Sequence, residues 1–130
     1  MHVKRFLEWI GLKEKLDLSP AQVPLVHEGE IWWASLGENV GFEINGKSKL
    51  FTRPVLIYKK LTRGFYFVIP LTTQMKVGTW YVSLSLHGKG QVACLHQGRS
   101  IDARRLYSRL GRLDDMGLEK LRRAFRSLYH

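Results

Sequence analysis

Two short polar clusters carry the side chains best suited to chemistry on an anion. Arg53-Pro54 heads the apolar run Val55-Leu56-Ile57-Tyr58, and Thr72-Thr73-Gln74 closes the run that begins at Phe65. Arginine is always charged and offers five donors in a planar fork, which suits a phosphate and makes it a poor base. Two hydroxyls and an amide at a strand end hydrogen-bond phosphate oxygens and base edges. Taken singly, each cluster is ordinary: an arginine at a strand end is a solvated charge, and a Thr-Thr pair suits a strand. Together they gain meaning, because a hairpin that starts at Arg53-Pro54 and ends at Pro70-Leu71-Thr72 returns both clusters to one edge.

The elements that must hold this edge are short strands. Ile31 to Leu36 is aromatic-rich and bounded by Gly29 and Gly37, and Pro54–Tyr58 and Phe65–Ile69 flank a turn-sized gap, a hairpin signature. Tyr81 to Leu86 alternates with period two, His87-Gly88-Lys89-Gly90 turns, and Gln91–Leu95 runs back as a second hairpin. Many short strands predict a mainly β fold, a small antiparallel barrel or curled sheet, since closure removes exposed edges. Helices flank it. Phe6, Leu7 and Ile10 predict an amphipathic helix over residues 3–16, followed by an extended linker at Pro20 and Pro24. At the other end Leu118, Leu121, Phe125 and Leu128 share a helical face behind an Asp114 or Asp115 cap, with Glu119 one turn before Arg123. Residues 1–28 then form an N-terminal segment and 29–130 the barrel domain.

The chain has 130 residues, enough for one domain with a real core and too few for two. Lys and Arg number 21 against 11 Asp and Glu, a formal charge of +10, which favours a polyanionic partner. A single cysteine, Cys94, lies in an apolar run, which excludes an intrachain disulfide and points to the reducing cytoplasm. Residues 1–12 lack the continuous apolar stretch of a leader or a membrane span. Cys94 and His96 lack metal-ligand spacing, so no metal or other cofactor is expected.

With the opening Gly29-Glu30-Ile31-Trp32, the Gly41 to Gly46 loop with Glu43, Arg53-Pro54, Pro70 to Gln74, and Gln97-x-Arg99-x-Ile101-Asp102-x-x-Arg105-Leu106 before Leu113-Asp114-Asp115, the chain resembles the MazF/PemK family of toxin endoribonucleases. The resemblance runs from about Gly29 to the C-terminus. It implies an SH3-like barrel with a C-terminal helix, a homodimer, a single-stranded RNA substrate and a small antitoxin protein as partner. The family's arginine before proline corresponds to Arg53 and its threonine or serine after the proline-bearing strand to Thr72, the two positions that carry cleavage. The N-terminal helix lies outside the family core.

Such a site needs no metal if the RNA 2′-hydroxyl attacks its own phosphorus, since the reaction is intramolecular and positioning lowers the barrier. A fixed Arg53 and a Thr72 hydroxyl would stabilise the charged phosphorane. Some relatives carry Asp or Glu just before the family's glutamine; here His96 stands there, with an ordinary pKa near 6.5 suited to proton transfer. Phe42 replaces a histidine of certain relatives and can stack a base but move no proton. Glu43, Asn45, Thr73, Gln74, Gln97 and Arg99 are candidate RNA-binding residues, with Trp33, Phe42 and Trp80 as stacking surfaces. Two other readings keep the same fold: a catalytically silent RNA-binding module, or a protein binder like the related toxins that poison DNA gyrase.

Overall fold

In the computed structural model, which describes residues 25–37 and 52–129, the apolar runs become seven strands and one helix. These are β1 (Glu30–Ser35), β2 (Thr52–Thr62), β3 (Phe65–Thr72), β4 (Tyr81–Leu86), β5 (Lys89–Cys94), β6 (Arg99–Asp102), β7 (Leu106–Arg112) and α1 (Asp115–Leu128). The helix expected over 3–16, the Pro20–Pro24 linker and the loop carrying Phe42, Glu43 and Asn45 lie outside the described residues.

Each of the strand pairs is antiparallel. Alternation sorts side chains to two faces. Leu56 and Ile69 join Leu84, Leu95, Leu118 and Leu121 under α1, while Val55, Ile57 and Val68 join Trp32, Tyr66 and Ile101 in a second cluster behind the sheet. Burying each such side chain contributes about 1.5–3 kcal/mol.

The SH3-like barrel that the resemblance implies is corrected to the other form the strand pattern allowed, an open curled sheet. Among the described residues the path runs β4-β5-β3-β2-β1-β7, with β6 branching onto β3. The branch arises because β3 divides one of its edges: Phe65–Val68 pairs with β6 and Leu71–Thr72 with β5. The ends of the path meet at one corner through side chains. His87 Nε2 lies 3.1 Å from the Leu110 carbonyl, and a Cβ on Gly111 would stand 2.8 Å from His87 Nε2 and 2.9 Å from Leu86 Cδ1. An imidazole and a leucine therefore occupy the space between the two edges.

The turns follow their residues. His87 and Gly88 both adopt positive φ, 52° and 77°, as a two-residue type I′ hairpin turn requires; Lys89 and Gly90, read as turn, open β5 instead. Asp114 is the cap of α1, its carboxylate accepting the Gly117 N–H at 2.6 Å. Glu119 lies 4.0 Å from Arg123 and 3.3 Å from Arg126. Leu118 and Leu121 are buried, and Phe125 stacks on Tyr58 with centroids 4.5 Å apart.

The Gly29-Glu30-Ile31-Trp32 motif has a structural explanation. Glu30 is buried, and its carboxylate accepts from the His27 N–H at 2.8 Å, the Trp32 indole at 3.2 Å and Arg109 Nε on β7 at 2.8 Å. Burial raises its pKa, but these donors outweigh it and hold the carboxyl below its usual value. The motif thus ties β1 to β7.

Candidate active site

The pairing Val55↔Pro70 between β2 and β3, continued by two residues, sets Arg53 against Thr72. Arg53 Nη1 donates to the carbonyl of Leu71, beside Thr72, at 3.4 Å. Its guanidinium is half-buried; desolvation lowers its pKa, and the Cys94 thiol works the other way. It stays a cation with part of its hydration already removed, which strengthens its field on a nearby anion. Thr72 is buried at the end of β3, paired with Val92 of β5. Its Oγ1 accepts the Gln74 N–H at 3.2 Å, an arrangement that orients the hydroxyl and bends the chain out of the strand.

Arg53 and Thr72 form a wall common to two cavities. One, about 270 Å³, is lined by Arg53, Thr72, Gln74, Lys76, Tyr81, Cys94, His96 and Gln97. The other, about 470 Å³, is lined by the same pair with Trp33, Thr52, Pro54, Leu71, Thr73, Gln91, Tyr107 and Ser108. The first holds the cationic and titratable groups. The second is aromatic and apolar, with a few polar groups among them.

His96 sits in a single 3-10 turn, Leu95–Gln97, that follows β5. Its ring is flanked by Trp80 at 5.7 Å and by Tyr81 at 5.3 Å, edge to face. Partial burial lowers its pKa from the usual value, while a hydrogen bond with the Trp80 backbone acts in the opposite direction. A histidine so held is neutral at pH 7 and able to accept a proton. Cys94, read as core, is buried, but it also faces this cavity near Arg53 and Lys76; desolvation raises its pKa despite those cations. It is therefore a thiol, not a thiolate, at neutral pH.

The fold thus brings Arg53, Thr72, His96, Gln74 and Gln97 to one cavity and Thr73 with Trp33 to its neighbour. Arg99 lines neither; it lies on β6, opposite Val68. Trp80 supports His96 and is 46 % exposed, which leaves part of its face to solvent. Glu43, Asn45 and Phe42 lie outside the described residues. Sequence reading missed Lys76, Tyr81, Gln91 and Tyr107. Lys76, two residues beyond Gln74, was the nearest to detection. Tyr107 and Gln91 gave no signal, because each looks like an ordinary strand residue. Among the described residues no three His, Cys, Asp or Glu side chains group closely enough to hold a metal ion, and no helix is long and apolar enough to cross a membrane.

The fold is an open antiparallel sheet backed by one C-terminal helix, with the Arg53–Thr72 pair at the wall of a polar cavity. Residues 27–129 match the family described as PemK-like, MazF-like toxin of type II toxin–antitoxin system, and the chain belongs to that family. Among solved structures, MazF from Deinococcus radiodurans superposes with a TM-score of 0.66 at 26% identity, covering 84% of this chain and 98% of that one. A mycobacterial endoribonuclease in complex with its cognate antitoxin gives 0.63 at 15% identity, covering 81% and 95%. The toxin MazF-mt6 of Mycobacterium tuberculosis gives 0.59 at 19%, covering 77% and 95%. No match was found among curated protein sequences.

Proposed function

We propose that this chain is the toxin of a type II toxin–antitoxin system and cleaves single-stranded RNA without a metal. The observation that carries the reading is the Arg53–Thr72 pair: a half-buried cation and an oriented hydroxyl on neighbouring strands, facing a cavity that also holds His96 and Lys76. Family membership, with relatives named as endoribonucleases, supports it.

The 2′-hydroxyl attacks the adjacent phosphorus, the bond to the 5′-oxygen breaks, and the products are a cyclic phosphate and a 5′-hydroxyl. Charge gathers on the non-bridging oxygens as the phosphorane forms, and Arg53 and the Thr72 hydroxyl stabilise it there. Neutral His96 takes the 2′-hydroxyl proton, a solvent water protonates the leaving 5′-oxygen, and the requirement for the 2′-hydroxyl confines cleavage to RNA. Lys76 adds a second cation to the phosphate path, and Gln74 and Gln97 offer hydrogen bonds to base edges. Glu43, Asn45 and Thr73 complete the RNA contacts we assign. The net charge of +10 favours the approach of the polyanion.

We further read the protein as a cytoplasmic homodimer neutralised by a small antitoxin protein. Relatives solved as MazE–MazF complexes support the partner. The test is incubation of purified protein with single-stranded RNA in excess EDTA, with sequencing of the 5′ ends of the fragments. Cleavage that Arg53→Ala abolishes is the expected result; intact RNA at high protein concentration overturns the reading.

A further inference from the structure

Gln91 is 8 % exposed, and its Oε1 is the one buried side-chain oxygen or nitrogen without a hydrogen-bond partner among the described residues. Leaving a buried acceptor unpaired costs about 1–3 kcal/mol, so such a group stands out against the fully paired Glu30. It does not lie in the packed core. It lines the 470 Å³ chamber, whose other walls include Trp33, Pro54 and Tyr107 and which shares Arg53 and Thr72 with the catalytic cavity. A volume within about 300–1,000 Å³, mainly apolar walls and a few placed polar groups are the attributes of a small-molecule site. Trp33 and Tyr107 offer ring faces, and Tyr107 is 66 % exposed at the rim.

We infer that this chamber takes one nucleobase next to the scissile phosphate and that Gln91 reads its edge. The inference rests on the nuclease reading, because the phosphate on the Arg53–Thr72 wall is what delivers the neighbouring base into the chamber. A base stacks on aromatic faces whatever its identity. Selectivity comes from the carboxamide, whose terminal torsion is broad and two-fold, so its oxygen turns toward an entering base with little strain. An unpaired carbonyl oxygen selects a donor, which each base presents at a different place, as the exocyclic amino group of adenine, cytosine or guanine or the N3–H of uracil, so the position of the oxygen in the chamber fixes which base pairs with it. A base that satisfies the oxygen removes the penalty of the empty state, and one that does not leaves it in place.

The experiment maps cut sites by 5′-end sequencing for the wild type, Gln91→Leu and Tyr107→Ala, with melting temperature and oligomeric state measured on each. In the wild type, one position flanking the cut should be restricted to one base. Gln91→Leu should relax that preference about tenfold, leave other motif positions unchanged, and melt no lower than the wild type, since it removes an unpaired acceptor. Tyr107→Ala, at an exposed site where folding is not at stake, should weaken discrimination at the same position. No base preference at either flanking position, or a motif that Gln91→Leu and Tyr107→Ala leave unchanged, overturns the inference while the nuclease reading stands. A wild type that cuts nothing removes both. If Tyr107→Ala instead changes the oligomeric state and spares the motif, the chamber is covered by a second copy, and the inference is likewise overturned.

Discussion

The Glu30 end of the sheet and the Arg53–Thr72 corner both bury polar side chains, but they satisfy them differently. Glu30 receives the His27 N–H, the Trp32 indole and Arg109, all within 3.2 Å. At the corner Arg53 reaches the Leu71 carbonyl at 3.4 Å, and the Gln91 oxygen is unpartnered. Saturated polar groups hold strands together; an unpartnered buried oxygen at a cavity wall, as in Gln91, is poised for a donor the protein does not itself contain. The two regions should therefore respond to substitution in opposite ways, one in stability and the other in activity.

The largest expected effect is at the corner. Arg53→Ala should lower kcat about 10²–10³-fold, or about 2.7–4 kcal/mol of transition-state stabilisation, with little change in melting temperature; an inactive variant that has also unfolded would erase the contrast. His96→Ala comes next, lowering cleavage about 10²-fold with far less loss of RNA affinity. Because the His96 pKa is lowered in the folded protein, the base is already neutral at pH 7 and the acid limb of kcat/KM should fall below pH 6.5. That limb should disappear in His96→Ala.

At the other end the sign reverses. Glu30→Ala leaves the His27 and Trp32 donors without their acceptor and should cost about 2 kcal/mol in chemical denaturation, while cleavage per folded molecule is unchanged. Since the folded-state pKa of Glu30 lies below its usual value of 4.5, its stabilisation is complete above that value. It is lost as pH falls through the lowered pKa, and Glu30→Gln should remove this acid-induced loss. The smallest effect is at α1, where Asp114→Ala unpairs the Gly117 N–H and should cost about 1 kcal/mol of stability, again without effect on cleavage.

Hairpins were readable because period-two alternation and glycine turns are local signals: β2–β3 and β4–β5 form as expected, and Asp114 caps the helix. β7 escaped notice because Leu106 and Leu110 are its only large apolar residues among Tyr107, Ser108, Arg109 and Arg112. Its place in the sheet depends on the distant Glu30. The open path was equally illegible, since the division of β3 between β5 and β6 is a choice among long-range partners. In the site, Arg53, Thr72, His96, Gln74 and Gln97 were legible because strand ends and a resemblance marked them. Gln91 and Tyr107 were not, since an orphaned oxygen and a chamber exist only after the chain has folded.

The Arg53–Thr72 pair sits on adjacent strands of one ladder, and neighbouring strands run about 4.8 Å apart wherever they hydrogen-bond. The spacing of Arg53 and Thr72 is thus gauged by backbone hydrogen bonds and not by any loop. On the proposed nuclease reading, a change of length or composition in the segments around the two cavities would alter which RNA is bound while the spacing of Arg53 and Thr72 stays the same.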